Sequence, residues 1–362
     1  MEIKNMDAIN TNANHTKTRI EYFDYLRIIA AFTVMLLHIS TQFLDSLEIT
    51  TYEWNVFNIF SSITRWAVPV FAMISGALFL DPEHDTKKLF SKNLLRLVSA
   101  FLFWSTIYAA IGAIQNQRSF FVFVGDIIQG HYHMWFIFMM IGMYLIVPLL
   151  RKFTETMEST KYFLMIALAF TFVLPHFFDF LYLISPTAWQ YSYPIYDNFL
   201  HHLTQGYSSY FVLGYFLSKV DIQGWKEKAI YLLGTLGGVA TIVLTVLFSN
   251  KHGFGLGNFY WNFAPGILFQ SVAIFVLAKN KWNSLSMSST LKNILHNLSK
   301  YSFGAYLVHV LILDQLDILF GINSLSFNPL FSVPVLGVVL FAASFAISGL
   351  LNKIPVLNKY IV

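Results

Sequence analysis

With 362 residues, 56% of them hydrophobic and only 12% charged, the chain cannot cover a water-soluble surface, for which about 25% charged residues is usual. Its mean hydropathy of +0.58 agrees, and the absence of cysteine excludes disulfides, thiolate metal sites, a cysteine nucleophile and cysteine acylation. A net charge of +4 gives no sign of a nucleic-acid partner, so what matters is where the positive charges sit.

Residues 1–20 are polar and rich in Asn and Thr, and read as a mobile cytoplasmic tail. The apolar run that follows is too long for a signal-peptide core and has no small-residue cleavage site, so it is expected to stay as a membrane anchor. Ten apolar stretches of roughly spanning length follow one another at about 22–44, 55–80, 94–115, 133–151, 161–184, 206–219, 229–248, 261–279, 299–320 and 331–351. The sixth is the shortest and rests on YFVLGYFL at 210–217. The fifth holds Pro175, His176 and Asp179 and is expected to kink or end early. Between the fifth and sixth lies the longest outside loop, 185–205, which has no Lys or Arg but several aromatics. It reads as an ordered loop or one lying in the membrane interface, with His201 and His202 as solvated loop residues.

Charge sorting tests this count. With the N-terminus in the cytoplasm, 19 of the 23 Lys and Arg fall in inside segments, Arg118 and Lys251 fall outside, and Arg27 and Arg65 lie within spans. The expected fold is therefore all-α: a polytopic membrane helix bundle of about ten transmembrane helices, both termini cytoplasmic, with 21–362 as one membrane domain. There is no internal repeat and no sign of a soluble appendage.

Charged groups deep in a bilayer are costly and point to function. Arg27 lies about one turn inside the first span and His38 eleven residues on, about 16 Å along the axis. Eleven residues are close to three turns, so both side chains face one way, and Asp24 is placed to pair with Arg27 along the helix. The plain alternative is that Arg27 snorkels to the headgroups while His38 bonds a neighbouring helix. Arg65 in the second span, Gln270 in the eighth, and His309 and Asp314 in the ninth add polar groups; together they favour an internal hydrated cavity. Ser75 and Gly76 are small residues that permit close helix packing, which is the reading preferred for Gly76. His131 and His133 stand at i, i+2 without a third ligand, so no metal is expected, and Trp135 beside them is an interface anchor unless it lines the cavity.

Four stretches together resemble the acyltransferase-3 family of integral membrane acyltransferases. They are FDYLRIIAAFTVMLLH, with Arg and His separated by ten residues, VPVFAMISGALF, HMWFIFMMIGMYLIVP and SKYSFGAYLVHVLIL. The resemblance implies transfer of an acyl group, most often acetyl, from cytoplasmic acyl-CoA to a hydroxyl of an extracytoplasmic carbohydrate or glycolipid. It places His38 in the catalytic role, with Arg27 beside it; the lack of cysteine and the Lys/Asn/Phe-rich composition are compatible with the expected bacterial plasma membrane. Family members often carry paired basic residues three apart at the start of the third helix. Here the stretch is KNLLR, so Arg96 matches one, Asn93 replaces the other, and Lys92 is the expected substitute. No appended extracytoplasmic domain is expected after the tenth span.

These residues permit a mechanism. Arg27, Lys88, Lys92 and Arg96 would hold the donor phosphates at the cytoplasmic mouth, and the pantetheine arm would thread toward His38. His38 would act as general base or form an acyl-histidine, and Arg65 would stabilise the oxyanion. His133, Trp135, His309 and the aromatic loop around Trp189, Tyr191 and Tyr193 are the candidates for acceptor binding, with His309 also placed to orient His38. The competing class is a transporter or flippase of a glycolipid or small anion, though no inverted repeat supports it. Oligomeric state is not readable from the sequence.

Overall fold

A bilayer offers no water to satisfy a backbone N–H or C=O, so a chain this apolar must close its hydrogen bonds within helices. The computed structural model describes residues 19–198, 204–282 and 285–362, and among them every regular element is a helix. The expected tail lies outside the described residues except for Arg19 and Ile20, as do His201 and His202.

The chain begins with α1 (Glu21–Thr41), followed by α2 (Tyr52–Thr64) and α3 (Ala67–Phe79). A short turn α4 (Thr86–Lys88) and a π-helical turn Leu89–Leu94 lead into α5 (Leu95–Asn116). Next come α6 (Phe120–Gln129), α7 (Trp135–Phe153) and α8 (Met157–Ala167), then a π-helical turn Leu168–Val173 and α9 (Leu174–Ile184). After α10 (Pro186–Asp197), α11 (Tyr207–Lys219), α12 (Trp225–His252) and α13 (Pro265–Leu277), the last elements are α14 (Ser289–Phe320), α15 (Pro329–Leu351) and α16 (Pro355–Tyr360). Among the described residues, nine helical stretches are long and apolar enough to cross a membrane.

Three features of the spans, a break in the second and the expected irregularity of the fifth and shortness of the sixth, have local causes. The second expected span is broken at Arg65–Trp66, between α2 and α3. Pro69 has no N–H to donate to the Arg65 carbonyl, and its ring crowds that same group, so the helix cannot run through. Pro175 likewise follows the π-helical turn Leu168–Val173, where a wider turn makes room for it. The sixth expected span is α11, only 13 residues or about 20 Å, against about 30 Å of hydrocarbon.

The short α11 is held by packing. It runs parallel to α3, and the two backbones meet where Gly76 faces Phe211 and Gly214 faces Met73. At their common end Lys219 pairs with Asp81 at 2.7 Å. Small residues permit this approach, and in lipid such close packing is what holds helices together. Gly237 and Gly266 allow the same where α12 meets α13. Conversely, Leu232, Leu236, Val239, Val243 and Leu247 of α12 face outward, which suits a lipid surroundings. The loop expected at 185–205 contains the helix α10, started by Pro186 and capped by Ser185, whose hydroxyl accepts from the Ala188 N–H.

The centre of the bundle is α1. Its apolar residues join two separate cores, one with α3, α11 and α13 around Leu26 and Met73, the other with α2 and α15 around Met35 and Phe57. A third core, around Trp104, Met140 and Phe211, joins α5, α7, α11 and α14. Arg27 and His38 belong to none of these cores; both line the space between them.

Candidate active site

A cavity of about 490 Å³ runs alongside α1 and brings together residues far apart in sequence. Arg27 and Arg96 line one part of it, and His38, His133 and Trp135 another. Between them the walls are largely apolar, from Val68 and Phe71 of α3, Met140 of α7 and Phe303 of α14. Arg27 and His38 open onto the same space because eleven residues bring them to one face of an uninterrupted helix.

The mouth is organised around Asp24, a carboxylate only 5% exposed. It accepts two bonds from Arg19, one from Arg27 at 3.3 Å and one from the Ser299 hydroxyl at 2.6 Å. Arg19 also reaches the His296 Nε2 at 3.2 Å and so bridges α1 and α14. Lys300 lines the same mouth. Arg96 lies over the Phe303 ring and donates to the Val362 backbone oxygen. This end of the cavity therefore carries an excess of fixed positive charge.

At the other end, three imidazoles gather. The ring centroid of His38 lies 5.1 Å from that of His309 and 6.4 Å from that of His133, and His133 and His309 are 5.5 Å apart. His309 is fully buried behind His38 and does not line the cavity. Its Nδ1 is 2.5 Å from the Tyr306 carbonyl. A carbonyl only accepts, so Nδ1 carries the proton and Nε2 is left as an acceptor. Among the described residues, that buried Nε2 has no hydrogen-bond partner. The Tyr306 hydroxyl donates to the His133 carbonyl at 2.5 Å, tying α14 to the start of α7. Behind them, Tyr108 of α5 inserts into α14. Its hydroxyl donates to the Leu307 carbonyl and accepts from the Leu311 N–H, each at 2.9 Å. Those two groups would otherwise bond to each other in the helical ladder. The same tyrosine stacks on His131, whose Nδ1 is 3.1 Å from that of His133 and whose Nε2 is 3.7 Å from Asp314.

The family model described as an acyltransferase domain, acyltransferase-3, matches residues 20–352. The chain belongs to the acyltransferase-3 family. The chain is also similar to a probable poly-beta-1,6-N-acetyl-D-glucosamine export protein of Staphylococcus aureus, found in strains Mu50 and MW2. Each is 22% identical over 320 residues, covering 83% of this chain and 84% of the relative. No solved structure matches the chain.

Within this acyltransferase-3 domain the structure sorts the candidates. Arg27, His38, Arg96, His133 and Trp135 share the cavity, and His309 backs it. Lys88 and Lys92 do not line it. Both are exposed around the π-helical turn, whose buried face is formed by Leu89. Asn93, the residue that breaks the paired-basic pattern, lines the cavity itself. Arg65 is also elsewhere: the joint before α3 turns it over the Tyr260 ring, 4.9 Å from the centroid, in a separate cavity. It does not line the cavity that holds His38. Trp189 stacks on Tyr193 within α10, with centroids 5.0 Å apart, and Tyr182 meets it edge-on; this aromatic group stands apart from the cavity. Sequence reasoning missed Arg19, His296, Ser299, Lys300, Tyr108 and Tyr306. Ser299, Lys300 and Tyr306 fall in the quoted stretch SKYSFGAYLVHVLIL; helical spacing back from His309 would have flagged Tyr306, one turn away, but puts Lys300 on the opposite face. Arg19 and Tyr108 carry no such signal.

Proposed function

We propose that this membrane protein transfers an acyl group, acetyl by default, from cytoplasmic acyl-CoA to a hydroxyl of an extracytoplasmic glycan, with His38 as general base. The observation that carries the reading is the single cavity joining the cationic mouth to His38 and His133. The mouth would hold the donor phosphates through Arg27 and Arg96, where guanidinium groups give paired contacts. The pantetheine arm would lie along the apolar wall, over the about 16 Å of helix that separates Arg27 from His38. His38 would take the proton of the acceptor hydroxyl as its oxygen attacks the thioester carbonyl. The C–O bond forms, the C–S bond breaks, and the proton passes from the imidazole to the departing thiolate. An acyl-His38 intermediate is the two-step variant of the same chemistry. His309, fixed as an Nε2 acceptor by the Tyr306 carbonyl, would orient His38 from behind.

The relatives are named for a polymer of N-acetylglucosamine, which makes a cell-envelope polysaccharide of this kind the first acceptor to try. Their names also say export, which favours a second reading in which the cavity conducts a glycan without changing it. The proposed setting is a bacterial plasma membrane, with both termini and the cationic mouth on the cytoplasmic side. One experiment separates the readings. Wild type and His38→Ala are purified in nanodiscs, and CoA release from acetyl-CoA is followed with water and then with an N-acetylglucosamine oligomer as acceptor. Release by the wild type that is lost in the variant, with folding retained, supports acyl transfer. Glycan movement with no acyl-CoA binding or turnover supports export.

A further inference from the structure

The cavity that holds Arg65 begins about one helical turn beyond His38. Thr41, three residues on, lines it, and its hydroxyl bonds back to the Leu37 carbonyl at 2.9 Å. The cavity measures about 280 Å³, below the usual 300–1,000 Å³ of small-molecule pockets, which is room for about one sugar unit. Its walls carry Asp45 after α1, Arg65 at the α2–α3 joint, and Tyr260 and Trp261 from the loop between α12 and α13. Arg65 is held only loosely by protein groups: its contacts to the Ser61 hydroxyl are both 3.4 Å, and its face rests on Tyr260. Trp261 is 61% exposed although it faces a cavity.

This is an unusual inventory for a structural site. A cation and a carboxylate line one small space without being paired to each other, beside an uncovered aromatic face. An anion would meet Asp45, and an acyl chain would meet two charges. A pyranose satisfies all three groups, since a hydroxyl or amide donates to the carboxylate and accepts from the guanidinium, while the C–H face covers the indole.

We infer that this cavity binds one N-acetylhexosamine unit of the acceptor glycan, held by Asp45, Arg65 and Trp261, so that a hydroxyl of the glycan is presented to His38. The inference rests on the proposed function and gives Arg65 a place on the acceptor side. The test uses a β-1,6-linked N-acetylglucosamine oligomer and the full chain in nanodiscs, as wild type, Trp261→Ala and Asp45→Asn. Two rates are measured, acetyl transfer to the oligomer and CoA release in its absence. The ratio of the first to the second is expected to fall at least tenfold in each variant, mainly through a raised KM for the oligomer. An unchanged ratio in both variants overturns the inference. A wild type that releases CoA but neither binds nor acylates the oligomer also overturns it and leaves acyl transfer standing. A wild type that neither binds nor turns over acetyl-CoA removes the proposed function, and this inference with it.

Discussion

The packing of α3 on α11 can be tested at one atom. In Gly214→Ala, the added Cβ would stand 2.0 Å from the Met73 carbonyl oxygen and 2.4 Å from the Met73 Cα. Ordinary contact starts at 3.4 Å, so the two helices would have to part by about 1.4 Å. Over-packing of a core usually costs about 1–3 kcal/mol. The upper end applies here, about 3 kcal/mol, because the obstacle is backbone and cannot rotate away. Alanine returns about 1 kcal/mol of helix propensity, which leaves a net loss of about 2 kcal/mol. At about 2 °C per kcal/mol for a long chain, the Tm should fall by about 4 °C. Activity should fall as well, because α3 carries Val68, Phe71 and Ser75 of the cavity wall. Gly142→Ala is the control. It lies inside α7 with nothing within 4 Å of the new atom, so propensity acts alone and the Tm should hold or rise. Thermal unfolding in nanodiscs, alongside CoA release, reads both. A Gly214→Ala protein that melts at or above the wild type would refute the close approach of α3 and α11.

Two further predictions follow from the cavity. Lys300→Ala should raise the KM for acetyl-CoA by about three- to tenfold, the order of one lost charge-assisted contact. The effect should shrink at high salt, where the Debye length drops below the about 8 Å of physiological conditions; an unaltered KM would remove Lys300 from the donor mouth. Tyr108→Phe should cost about 1–3 kcal/mol if the Leu307 and Leu311 backbone groups stay apart. If they close on each other instead, α14 shifts at His309 and CoA release should fall by more than tenfold with little change in Tm. A variant as stable and as active as the wild type would mean that the inserted hydroxyl positions nothing.

The sequence by itself determined that the chain is a membrane helix bundle, because the scarcity of charge and the length of the apolar stretches leave no other way to satisfy the backbone. It also fixed the relation of Arg27 to His38, because both lie on one unbroken helix and helical geometry is local. The stretches that resemble acyltransferase-3 identified the family for the same reason: each is a short pattern readable along the chain. What only the tertiary structure decided is which other side chains join them. Arg65 reads as mid-span on a straight helix, but Pro69 breaks that helix and turns the guanidinium toward Tyr260. Lys92 reads as the spare cation beside Asn93, yet the π-helical turn leaves Lys92 exposed and Asn93 at the cavity. Arg19 lies in no motif and reaches the mouth because Asp24 and His296 draw it there from two helices. Tyr108 is one aromatic among many until its hydroxyl is seen opening α14 beside His309. Contacts of this kind join positions some 200 residues apart, and in lipid they are set by the close fit of small residues such as Gly76 and Gly214. Hydrophobic periodicity carries no record of that fit, because the lipid-facing and core-facing sides of these helices are equally apolar.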